Sequence, residues 1–253
     1  MSVVCVTSIN SGDGKTAFCA GFTLLSQKFG NQVDAVKPLN ISGLTGPDGP
    51  THHGMFDVAY LRVLPNMVVM APGDADDLTN MLDFALSHDA PCSIRYPKTT
   101  ADAVGGDRPA MELGRAEILE LGLEGCIICF GSLLNSCAQA VEILSREGFD
   151  VGLINARFIK PLDRETILHA VRQCDFVVTV EESALMGGFG SAVIEAATDA
   201  GLDTSLITRL GIPDRFIEHG ERNELLTDLG LDAEGIADAC RKVAHRVGVV
   251  KHD

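Results

Sequence analysis

The chain has little positive charge: 20 lysines and arginines stand against 35 aspartates and glutamates, a formal net charge of −15 over 253 residues. Nucleic acids and membrane surfaces are themselves anionic, so this imbalance argues against a general binder of either. The sequence also lacks any apolar run approaching the ~20 residues that a bilayer span needs. Its opening, Met1-Ser-Val-Val-Cys-Val, has no basic stretch of the kind that begins a secretory signal. These absences make the cytoplasm the expected location. A small anionic substrate stays compatible, provided Arg, Lys or His are placed locally against the overall field.

What is present is ordinary globular material, 46% hydrophobic, in a length that suits one large domain or two small ones. Eight cysteines are scattered through apolar segments of a chain too long to be a disulfide scaffold, which reads as buried thiols in a reducing compartment. Cys126 and Cys129 have C-x-x-C spacing, but they fall in a β-like run where positions i and i+3 face opposite ways. A shared metal or redox role is not expected there, and no metal ligands are assigned.

The richest stretch is Gly43-Leu-Thr-Gly-Pro-Asp48-Gly-Pro-Thr-His52-His53-Gly54, directly before an apolar helical run. Glycines permit close backbone approach and prolines fix φ, so this is a shaped loop and not a linker. His and Asp on such a loop are candidates for chemistry. Before it, a β-branched run at 2–8 predicts a strand, followed by Asn-Ser-Gly-Asp-Gly14-Lys15-Thr16 and a helix over 17–28. Strand, glycine turn, Gly-Lys-Thr and helix is the setting of a phosphate-binding loop, with Lys15 neutralising phosphate and Thr16 reaching Mg²⁺. The full pattern asks for a glycine where Ile9 stands. A second strand is expected at 33–39.

After the loop, helices are expected at 55–63 and beyond Pro72, with strands at 67–70 and 92–96. Asp74, Asp76 and Asp77 suit the start of the second helix, where the dipole favours negative charge. Beyond a linker at 98–112, strands at 126–130, 151–155, 176–180 and 204–210 alternate with helices at 134–147, 163–173, 189–200 and 232–246. That alternation predicts an α/β unit with a mostly parallel sheet covered on both faces.

Several segments resemble 1-deoxy-D-xylulose-5-phosphate synthases, thiamine-diphosphate enzymes of the transketolase superfamily. They are the loop with its following Phe56-Asp-Val-Ala-Tyr-Leu61, Pro65–Pro72, Ile94-Arg95-Tyr96-Pro97 and Ala156–Asp163. Val180-Glu181-Glu182, Gly187-Gly-Phe-Gly190 and Leu210–Phe216 continue the match to about residue 247. The resemblance implies a partial transketolase pyrimidine-binding domain at 43–97 and a transketolase C-terminal domain at 113–253. Residues 1–42 resemble the first β-α-β unit of dethiobiotin-synthetase-like P-loop proteins.

By this resemblance, Arg95 matches the phosphate-binding arginine of the acceptor, and Asp48 and His52 match the residues that handle the acceptor and its protons. Glu181 and Glu182 belong to a structural signature. The family condenses pyruvate with glyceraldehyde 3-phosphate on thiamine diphosphate held through Mg²⁺. Its diphosphate motif, its cofactor-activating glutamate and an arginine just before the glycine loop, where Ile41 stands, are missing from these 253 residues. A truncated or rearranged synthase that is inactive alone is the resulting expectation, dimerising through the C-terminal domain and taking a phosphorylated triose or sugar. Three alternatives stay open: a subunit of a split transketolase-type enzyme, a non-catalytic dimerisation or regulatory module, and a nucleotide binder holding ATP and Mg²⁺ through Gly14, Lys15 and Thr16.

Overall fold

The computed structural model describes residues 4–7, 43–44, 49–50, 52–97, 99–100 and 109–249. The Gly14-Lys15-Thr16 turn, the strand expected at 33–39 and Asp48 lie outside the described residues.

Two sheets organise the molecule. The first has the order β1-β3-β2-β7, built from Val4–Thr7 (β1), Val68–Met70 (β2), Cys92–Arg95 (β3) and Phe158–Lys160 (β7). β3 runs parallel to both β1 and β2, with Cys92 opposite Val4 on one side and Val68 on the other. Helices α1 (Asp57–Leu61) and α2 (Ala75–Ser87) accompany these strands. Asp74 caps α2 by accepting from the Asp77 amide, the helix-start role expected of this acidic cluster.

The second sheet has the order β4-β6-β5-β8-β9: Glu117–Glu120 (β4), Gly125–Phe130 (β5), Val151–Asn155 (β6), Phe176–Ala184 (β8) and Ile207–Ile212 (β9). Only β4 is antiparallel to its neighbour, so the sheet is mostly parallel, as the alternation predicts. Its central strands are buried on both faces, which is why they read as continuous apolar runs. On one face Ile127 and Cys129 meet α3 (Leu134–Arg146) and α7 (Ala233–Val247). On the other, Cys126 and Ile128 meet α4 (Arg164–Gln173) and α5 (Phe189–Asp199). The C-x-x-C pair is therefore split across the sheet, and six described cysteines are buried free thiols.

Four elements depart from the sequence expectation: β4, α6 (Arg222–Asp228), β7, and a 3-10 turn at Thr204–Leu206 that takes the first three residues of the strand expected at 204–210. β7 matters most, because it leaves the second sheet after β6 and pairs antiparallel with β2 of the first. The switch happens at Arg157, a buried residue with φ of 54°. Its guanidinium lies 3.0 Å from Asp77 of α2 and 3.3 Å from Glu117 of β4, and Asn155 bonds the same two carboxylates. The two sheets are thus joined by a strand and a buried polar cluster. No described helix is long and apolar enough to cross a membrane.

Candidate functional site

The glycine loop closes on itself at its foot. Gly43 and Gly54 exchange backbone bonds of 3.3 and 2.9 Å, and inside the loop the Gly49 carbonyl accepts from the amides of His52 and His53. Both stems are held by the end of β8, a nine-residue strand that outruns its six-residue neighbours β5 and β9. The Ala184 amide donates to Met55 at 2.8 Å, and Glu182 Oε1 accepts from the Leu44 amide at 2.8 Å. Gly43 is required here: its φ is 68°, and a Cβ would lie 2.5 Å from Glu182 Oε1. The loop therefore sits where the two sheets meet.

Arg95 lies beneath that foot. It is 3% exposed, its Nε bonds both Asp57 oxygens at 2.9 and 3.0 Å, and its Nη2 donates to the carbonyls of Gly54 and Glu182. An open, bidentate phosphate grip is thus not what this geometry presents. The end of β3 points the side chain inward under the loop, and two of its three nitrogens are committed, although none of these bonds uses Nη1. Burial pushes the Asp57 carboxyl up from its ordinary value, and the Arg95 charge opposes that rise.

The adjacent acids of β8 divide their work by face. Glu181 accepts from the amides of Phe189 and Gly190 at the start of α5, at 2.6 and 2.8 Å, and from Ser183. Glu182 is fully buried and accepts from Arg222 of α6, from Ser132 at 2.6 Å and from Leu44. Burial alone would raise its pKa, but the Arg222 charge and these bonds bring it below the ordinary carboxylate value. Arg222 carries no signal in the sequence read alone, because its partner lies forty residues away on another element.

The two histidines of the loop also part company. His52 is exposed, as a proton carrier must be, whereas His53 is 5% exposed with Nε2 3.1 Å from the Ile217 carbonyl. Burial lowers the His53 pKa from its ordinary 6.5; backbone bonds to Glu218 and Ile217 and the charge of Glu182 act the other way, and His219 adds to the lowering. A histidine whose folded pKa is depressed takes up its proton more readily in the unfolded chain. Stability is then complete above pH 6.5 and falls as pH drops below it. Thermal midpoints measured at about pH 7.5 and 5.5 should fall more in the wild type than in His53→Gln, which removes this contribution.

Among the described residues no group of three or more His, Cys, Asp or Glu side chains could hold a metal ion. Glu181, whose oxygens face helix amides, and Glu182, which is saturated by Arg222, Ser132 and Leu44, are not aimed at an open cofactor site. The described residues do not fit an Mg²⁺–diphosphate site.

Two families match in sequence: the transketolase pyrimidine-binding domain over residues 38–102 and the transketolase C-terminal domain over 114–236. Similar curated proteins are 1-deoxy-D-xylulose-5-phosphate synthases. That of Rhodopirellula baltica is 46% identical over 207 residues, covering 82% of this chain and 32% of that protein. That of Thermomicrobium roseum is 44% identical over 236 residues, covering 88% and 37%. The chain thus spans about a third of the length of the curated relatives it matches. A solved structure described as a split gene transketolase, inactive beta4 tetramer, shares the fold with a TM-score of 0.74 at 22% identity, covering 96% of this chain and 92% of that one. Transketolase from Campylobacter jejuni aligns at TM-score 0.63 and 16% identity over 80% of this chain and 31% of that one.

Proposed function

Since the chain belongs to the transketolase superfamily, through a pyrimidine-binding segment and a C-terminal domain, we propose that it is the acceptor-handling part of a 1-deoxy-D-xylulose-5-phosphate synthase. The reaction joins pyruvate to glyceraldehyde 3-phosphate with loss of CO₂, a step towards isoprenoid precursors. Thiamine diphosphate, when bound, supplies the electron sink, and Mg²⁺ and the diphosphate are held by groups other than those described here. What this chain contributes is the acceptor's seat. His52, exposed on the loop, carries a proton to or from the forming carbinol, Asp48 hydrogen-bonds an acceptor hydroxyl, and Arg95 supplies positive charge to the acceptor's phosphate from beneath the loop.

The observation that carries this reading is the union of Arg95 with the glycine loop. Its Nη2 holds the Gly54 carbonyl, two residues after His52, so the cation is tied to the stem of the loop that carries the proton carrier. Such a tie favours orientation of a bound acceptor.

The test is reconstitution. The chain is mixed with the amino-terminal two thirds of the Rhodopirellula baltica synthase, thiamine diphosphate, Mg²⁺, pyruvate and glyceraldehyde 3-phosphate. Product is expected from the mixture, and none from these 253 residues alone. If the relative's own carboxy-terminal third restores turnover and this chain does not, the reading fails.

A second reading is favoured by the end-to-end match with the split-gene chain, which covers nearly all of both proteins. Under it the present chain is one subunit of a two-chain transketolase-type enzyme and self-associates through its C-terminal domain. Light scattering should then give a dimer or larger assembly, and a monodisperse monomer counts against it. The buried free thiols suit a reducing, cytoplasmic setting for either form.

A further inference from the structure

We propose that Glu182 is the positioning residue of the acceptor loop, working as a clamp closed by Arg222 and Ser132. The inference rests on the acceptor-handling reading above. Its ground is that one fully buried residue reaches both feet of the loop, the incoming stem directly and the outgoing stem through Arg95. Through its side chain, Oε1 takes the Leu44 amide at 2.8 Å on the incoming stem. Through its main chain, the carbonyl takes Arg95 Nη2 at 2.5 Å, and the same Nη2 holds the Gly54 carbonyl at 3.1 Å on the outgoing stem. The carboxylate is held in turn from the far side. Arg222 Nε donates to Oε1 at 3.1 Å, Arg222 Nη2 pairs with Oε2, and Ser132 Oγ donates to Oε2 at 2.6 Å.

A buried carboxylate with one donor is expensive, and one with donors from three segments is fixed in place. Here those segments are the loop stem, the turn before α3 and the first residue of α6. Arg222 is 17% exposed on its side chain and Ser132 is half-buried, whereas Glu182 is not exposed at all, so solvent reaches the clamp's closing residues and not its carboxylate. The absence of a side chain at Gly43 completes the arrangement, because that is the space into which Oε1 fits.

The experiment compares wild type with Glu182→Gln, which keeps the shape and an acceptor for Leu44 but gives up the charge. Arg222→Gln serves as the second variant, leaving Glu182 intact and loosening it from behind. Hydrogen–deuterium exchange is followed in peptides covering 43–54 and, separately, in β5. Loop amides should exchange on the order of tenfold faster in Glu182→Gln, and by a smaller factor in Arg222→Gln, while β5 stays protected.

In the reconstituted enzyme the same variants should raise KM for glyceraldehyde 3-phosphate severalfold and leave KM for pyruvate unchanged. Unchanged loop exchange overturns the proposal, as does equal loosening of loop and β5, which marks plain destabilisation. If the wild-type mixture gives no turnover, the acceptor-handling reading fails on its own, and the exchange arm still decides whether Glu182 positions the loop.

Discussion

Arg157→Ala is expected to lower the unfolding free energy by about 3–5 kcal/mol, the loss typical of removing one partner of a buried ion pair. Domains are commonly stable by only ~5–15 kcal/mol, so a change of this size threatens folding at 37 °C. The size of the effect follows from what is left behind. Asp77 is 0% exposed and Glu117 4% exposed, and both face the Arg157 guanidinium. Without it two buried carboxylates lie together with no cation between them, Asn155 donating to both and the Gly73 amide to Asp77. The cluster also ties α2 of the first sheet to β4 and β6 of the second, so its loss should loosen the junction first. Urea unfolding with both a global and a junction-local probe checks this. The triple replacement Arg157→Met, Asp77→Leu, Glu117→Leu should recover only part of the loss, because the apolar side chains carry no charge to desolvate while the buried Asn155 amide and the Gly73 amide lose their acceptors.

That cluster shows where reading the sequence reached its limit. Strands β5, β6 and β8 were legible because both of their faces are buried, so hydrophobicity runs on without interruption. Helices α3, α4, α5 and α7 were legible within a residue or two, since each buries an apolar stripe at helical spacing. The short β7 was not, for three residues of Phe-Ile-Lys carry no periodicity. Its place in the other sheet depends on a turn made at Arg157 in the left-handed region, which is uncommon for a residue with a Cβ. α6 escaped for a different reason: it buries only Leu225 and Leu226, too few positions to write a 3.6-residue period.

The candidate site divides along the same line. The loop, its exposed imidazole and its following helix are local features, and their glycines and histidines are visible in twelve consecutive residues. The clamp is not local. Glu182 and Arg222 are forty residues apart, and Asp57 and Arg95 thirty-eight, so each pair exists only after the sheets have formed. The family signature marks Glu181 and Glu182 as structural without saying what they hold. The structure separates them, one serving the start of α5 and the other the loop.

Arg95→Ala should be nearly as costly as Arg157→Ala, again about 3–5 kcal/mol, and its pH dependence makes it separable. Asp57 is 2% exposed, and burial already pushes its carboxyl up from 3.8 against the opposing charge of Arg95. Removing the guanidinium removes that opposition. A carboxyl whose folded pKa lies above its unfolded value binds its proton more tightly in the folded chain. Its penalty is absent below the unfolded pKa, grows as pH rises through the interval and is complete above the folded pKa. The stability gap between Arg95→Ala and the wild type should therefore be widest at about pH 8 and narrow as the solution is acidified, a recovery measured relative to the wild type at the same pH.

The double variant Arg95→Ala, Asp57→Asn should lack this recovery and be more stable than Arg95→Ala at pH 8, because no buried charge remains to be neutralised. A double-mutant cycle on urea midpoints at both pH values isolates the coupling. In the reconstituted enzyme the double variant should still fail with glyceraldehyde 3-phosphate, whatever its stability, because the cation under the loop is gone. Comparing glyceraldehyde 3-phosphate with unphosphorylated glyceraldehyde separates the two roles, because Arg95 also braces the loop through the Gly54 and Glu182 carbonyls. A loss confined to the phosphorylated acceptor marks a phosphate-facing arginine, and an equal loss with both leaves Arg95 with the brace alone.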